Sequence, residues 1–143
     1  MADRRIFFLE PGRWEGEGSI QLPIGDQFLP FTTVWEGNGS WWIHRVFLEG
    51  VEEPVVNCYR IEEGEEAPIL VMESPHLGSS EGVLLTDSDR IGWEFRGAEL
   101  SGFELFQRID AERYQHRAEF LNPGGMQTKI AGEIRWVSES YSS

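Results

Sequence analysis

The chain has 143 residues, 40% of them hydrophobic, and carries 25 acidic against 12 basic side chains for a formal net charge of -13. That length suits a single domain spanning 1–143, and the negative field repels phosphate backbones and anionic headgroups, which sets nucleic acid and membrane surfaces aside as partners. No run approaches the ~20 apolar residues of a membrane-spanning helix, and the lone Cys58 forms no internal disulfide, which fits a reducing, cytoplasmic setting.

The first element, Arg4-Arg5-Ile6-Phe7-Phe8-Leu9, is too short for the apolar core of a signal peptide and is stopped by Glu10-Pro11. Consecutive apolar residues need cover, so 1–11 reads as a segment plugging one end of the fold below Trp14. Period-two patterning between turn signals then gives about ten strands. They run Gly12–Leu22, Phe28–Trp35, Ser40–Leu48, Val55–Ile61, Ile69–Ser74, Gly82–Asp87, Arg90–Arg96, Leu100–Ile109, Arg113–Leu121 and Thr128–Val137. Glu36-Gly37-Asn38-Gly39, Asp87-Ser88-Asp89 and Asn122-Pro123-Gly124-Gly125 have tight-turn chemistry, which favours sequential hairpins. Asn38-Gly39-Ser40 matches a glycosylation triplet but reads better as part of a turn.

Alternation predicts the inner face most cleanly in the later strands. Ile91, Trp93 and Phe95 oppose Arg90, Glu94 and Arg96. Tyr114, His116, Ala118 and Phe120 oppose Arg113, Gln115, Arg117 and Glu119. Ile130, Gly132, Ile134 and Trp136 oppose Lys129, Ala131, Glu133 and Arg135. A long meander with one apolar face and no helix to cover it must close on itself. The expected fold class is therefore all-β, a single antiparallel up-and-down barrel of about ten strands, wide enough to leave interior space unless aromatics fill it. Gly16, Gly18 and Gly132 on the inner face favour strand bending over ligand approach.

Gly12-Arg13-Trp14 on the first strand resembles the G-x-W of the calycin group, the lipocalins, fatty-acid-binding proteins and their relatives, with Arg135 on the last strand as the basic residue that packs across the Trp. Within the group, 12–18 together with 126–135 is similar to the first and last strands of the nitrobindin family. The resemblance implies barrel closure by Gly12, Trp14 and Arg135, and a barrel that holds haem in that family. Ungapped matching puts Lys129 where the family has its haem-ligating His. An ammonium is a poor iron ligand, so no cofactor is expected and haem is disfavoured, unless His116 on the neighbouring strand replaces that ligand.

The candidate ligand-binding residues are Tyr59, Trp93, Phe95, Tyr114, His116, Phe120 and Ile134, with His116 and Tyr114 as polar groups orienting a ligand buried against the apolar ones. His44 sits in a strand apolar on both faces, and His76 follows Ser74-Pro75 as a loop residue. One of Trp41 and Trp42 should point outward and, with Phe106 also appearing outward, calls for cover by the N-terminal segment or by a homodimer partner. Of Arg108, Arg117 and Arg135, compared with the carboxylate clamp of fatty-acid carriers, alternation turns Arg117 and Arg135 outward or to the barrel end. Glu73 is the one strand-centre acid that the pattern leaves able to face inward. Glu62-Glu63-Gly64-Glu65-Glu66 lacks the alternating ligands of a calcium loop, and Cys58 has no orienting partners for nucleophilic catalysis. The expectation is a non-enzymatic protein binding a small hydrophobic or amphipathic molecule inside the barrel. The alternatives are a haem protein with non-standard ligation and a filled barrel acting as an interaction module.

Overall fold

The structure, a computed structural model, describes residues 5–21, 27–74, 78–96, 101–121 and 127–139. The Asn122–Gly125 turn, His76 and the outer bounds Leu22 and Leu100 lie outside the described residues. Every regular element described is a strand: β1 (Gly12–Gln21), β2 (Phe28–Gly37), β3 (Trp41–Leu48), β4 (Val55–Glu62), β5 (Ile69–Ser74), β6 (Gly78–Thr86), β7 (Arg90–Arg96), β8 (Ser101–Asp110), β9 (Arg113–Leu121) and β10 (Gln127–Ser138). Each pairs antiparallel with its sequence neighbours and β10 returns to β1, so the meander closes as a barrel. Among the described residues no helix is long and apolar enough to cross a membrane. The strands follow the apolar alternation closely, except that β6 begins at Gly78, with Ser80 and Gly82 on its buried face.

The β2–β3 turn shows how local chemistry sets register. The Asn38 side-chain oxygen accepts from the backbone N–H of Ser40 and Trp41 at 2.9 and 3.0 Å. Gly39 takes a φ of +94°, which a side chain would disfavour. Elsewhere glycines let strands approach. A Cβ on Gly16 would lie 2.1 Å from the Glu133 carbonyl oxygen, and one on Gly18 would lie 2.4 Å from that of Ala131. These inner-face glycines therefore serve the close β1–β10 contact.

The inner faces predicted for β7, β9 and β10 are inward, but β8 reverses expectation. Continuing an unbulged hairpin from the Asp110–Arg113 pair would match Ile109 with Tyr114, Leu105 with Ala118 and Phe103 with Phe120. A bulge between Arg108 and Asp110 instead pairs Arg108 with Tyr114, Phe106 with His116 and Glu104 with Ala118. One extra residue turns the strand over, because side chains alternate with period two. Phe106 is thus fully buried, not outward, and Glu104 is carried inside with it.

One end of the barrel is solid. Phe7 and Phe8 are completely buried there, Phe8 with a φ of 75°. The Phe7 ring packs on Phe106, Trp35, Trp14 and Trp42 at centroid distances of 4.6 to 5.5 Å, and Trp42 Nε1 donates to the Phe8 carbonyl at 2.8 Å. Trp42 is the inward member of its pair, and Trp41 is exposed on the outer wall. Arg135, expected to cap Trp14, is also exposed there, opposite Glu15 and Arg113. The basic residue that ties this end is Arg108, brought inside by the bulge. Its guanidinium donates to the Arg5 carbonyl at 2.9 Å and to the Tyr114 hydroxyl at 2.7 Å, and lies 4.7 Å over the Tyr114 ring. Arg5 in turn stacks on Trp136 at 4.1 Å.

Candidate functional site

Above the aromatic plug, the middle of the barrel holds a buried polar layer. The Tyr59 hydroxyl on β4 donates to Glu104 Oε1 on β8 at 2.8 Å, so this bond joins two well-separated walls across the interior. His116 Nε2, one strand along, lies 2.9 Å from Glu104 Oε2, and Trp93 Nε1 approaches Oε1 at a longer 3.4 Å. The His116 ring stacks on Phe106 at 4.2 Å, nearly parallel, which fixes its plane. Glu104 is a buried carboxylate. Burial pushes its pKa up, but the hydrogen bonds with His116 and Tyr59 and the electrostatic pull of the neighbouring imidazoles outweigh that and hold it below the ordinary value. Burial, then the Glu104 charge and hydrogen bond, push the Tyr59 phenol well up, so Tyr59 stays a neutral donor.

His44, on the opposite wall, stacks on Trp35 with centroids 3.7 Å apart. The Thr33 hydroxyl spends its proton on the Arg45 carbonyl at 3.1 Å, so the hydrogen bond between Thr33 Oγ1 and His44 Nε2 requires the imidazole to donate. His44 Nδ1 is then a lone-pair acceptor, buried with no protein partner. Burial lowers the His44 pKa to about 3, opposed by the Glu104 charge and helped by His116. His44 is therefore neutral at physiological pH.

From this layer to the far end of the barrel, the inner wall changes character. Strand alternation turns Ile20, Leu29, Val46, Leu48, Phe120, Thr128 and Ile130 inward, yet each keeps appreciable exposure, Leu29 as much as 39%. Among the described residues, this part of the inner wall is less tightly covered than the plugged end. The sequence-derived candidates divide along the same boundary. Phe95 and Phe120, with rings 6.4 Å apart, lie toward the outer half. His116, Tyr59 and Trp93 belong to the middle layer, while Tyr114 and Ile134 belong to the plugged end, where the Tyr114 hydroxyl is taken up by Arg108 and the Phe7 backbone. Tyr114 and His116 thus do not converge on one ligand.

Glu73, the acid left able to face inward, is exposed and paired with Arg60 at 2.8 Å, and the inward acid is Glu104. Arg117 and Lys129 are exposed on the outer wall, with Lys129 3.8 Å from Glu119. Neither residue considered above as a haem ligand is placed for that role. Lys129 points away from the interior, and the His116 nitrogen that would meet iron is engaged by Glu104. Among the described residues no three His, Cys, Asp or Glu side chains gather to hold a metal ion. Cys58 is exposed on the wall opposite to the face His44 occupies. No family model matches the chain, and no curated protein is similar to it.

Proposed function

We propose that this protein binds a small hydrophobic or amphipathic molecule in the outer half of the barrel, resting on the Tyr59–Glu104–His116 layer. The observation that carries this reading is the partial exposure of inward apolar residues, Ile20, Phe120 and Ile130 among them, above a middle and lower half that are sealed. Water held against such a wall is released by an apolar ligand at roughly 25 cal/mol per Å² of surface covered. The closed meander, with Gly12-Arg13-Trp14 opening β1 beside the plug, is in keeping with a calycin-type barrel.

Native mass spectrometry of the purified protein, with titration of the neutral dye Nile red, tests this. A co-purifying small molecule, or saturable dye binding that Ile130→Trp removes by filling the outer half, is the expected result. An apo mass together with dye binding unaffected by Ile130→Trp would move the apolar contact to the outer wall and sink the reading.

A further inference from the structure

The lining also limits the charge of the ligand. A barrel that carries an anionic amphiphile needs a cation facing its interior, and among the described residues the only Arg or Lys turned inward is Arg108. That group is spent at the plugged end, where it donates to the carbonyls of Arg5, Asp110 and Ala111 and to Tyr114. Arg117, Lys129 and Arg135 lie on the outer wall. The carboxylate in the middle layer is instead that of Glu104, hydrogen-bonded to His116 and Tyr59, with Thr33 and the neutral His44 nearby. The polar groups lie at the bottom of the outer half, and its upper wall is apolar at Ile20, Leu29, Leu48 and Ile130. An amphiphile therefore enters with its head down, toward Glu104.

Resting on the binding reading above, we propose that the barrel selects amphiphiles with a neutral or cationic head and rejects carboxylates, with Glu104 as the specificity-determining residue. A buried negative charge discriminates by repulsion, the inexpensive half of specificity, and being buried it is poorly screened by salt.

The test is displacement of Nile red from the wild-type protein by decylammonium and decanoate at about pH 8, where the two carry opposite charges on equal chains. Decylammonium should compete at least about tenfold better, and the ratio should persist on raising the salt from about 0.15 to about 0.5 M, because only surface charge is screened. Glu104→Gln, which keeps an acceptor for Tyr59 and a similar shape, should shrink the ratio several-fold. Decanoate competing as well as decylammonium in the wild type overturns the proposal while leaving ligand binding intact. So does a ratio that collapses at high salt, which would assign the preference to the surface charge. Failure of the wild type to bind the dye at all removes the binding reading itself, and the selectivity with it.

Discussion

In the plugged half of the barrel, inward positions are held by large rings. Trp14, Trp35, Trp42 and Phe106 close around Phe7 and Phe8, all of them 1% exposed or less. In the outer half the inward positions mix the rings of Phe31, Phe95 and Phe120 with smaller groups such as Gly18, Val46, Thr128 and Ile130, and the smaller ones remain partly accessible. The difference shows that closing a barrel and filling it are separate tasks. Backbone pairing runs around both halves, but the tightest aromatic burial is concentrated at one end.

The largest expected effect comes from emptying the plug. Phe7→Ala removes a ring in contact with aromatics on β1, β2, β3, β8 and β9. It should cost about 3–5 kcal/mol in urea unfolding, since the surrounding rings cannot all collapse into the gap. A loss below about 1 kcal/mol would mean the N-terminal segment is not part of the core and would break the contrast between the halves.

The middle layer should reveal itself through pH. With a folded-state pKa of about 3 against an ordinary 6.5, His44 refuses a proton that the unfolded chain accepts. Its contribution to stability is complete above pH 6.5 and is lost as pH falls toward 3. Between about pH 7 and 5 this amounts to about 2 kcal/mol. His44→Phe keeps the stack on Trp35 and leaves the Thr33 hydroxyl its bond to Arg45, so its unfolding free energy should fall less than that of the wild type over the same interval, by about this amount. Parallel pH profiles would show that His44 is hydrated and that the boundary between sealed and open halves lies below it.

Much of this division was legible in the residues and part was not. β7, β9 and β10 declare their faces because an apolar residue alternates with a charged one at nearly every step. The plug is visible in Ile6–Leu9, although only Phe7 and Phe8 go inside and Ile6 and Leu9 stay exposed. Glu104 is hidden because Ser101–Asp110 has apolar residues on both faces, so the pattern reads Phe106 as outward, and a single bulge near Ile109 turns Phe106 and Glu104 inside together. The signal that bore on it lay in the neighbouring strand, where an inward His116 needs a buried partner and no residue of β9 itself supplies one. Arg135 is the residue the resemblance points to, and it is the bulge that instead brings Arg108 beside Tyr114. His44 stands in a strand apolar on both sides, where orientation depends on register passed around the barrel and not on local pattern.

The smallest effect is the one that sharpens the contrast most. Ile130 faces inward between Ile20 and Ala118 but is only half-buried. Truncation there removes methylenes that already touch accessible space and leaves no closed void behind. Ile130→Ala should therefore cost about 1 kcal/mol or less, well under the 2–5 kcal/mol of a sealed core position. The same substitution should weaken Nile red binding, because the lost wall is the wall a ligand covers. A small stability change joined to a clear loss of dye affinity separates the two tasks of the barrel at one residue. A loss of several kcal/mol would show instead that the outer half is packed like the plug, and the space proposed for a ligand would not exist.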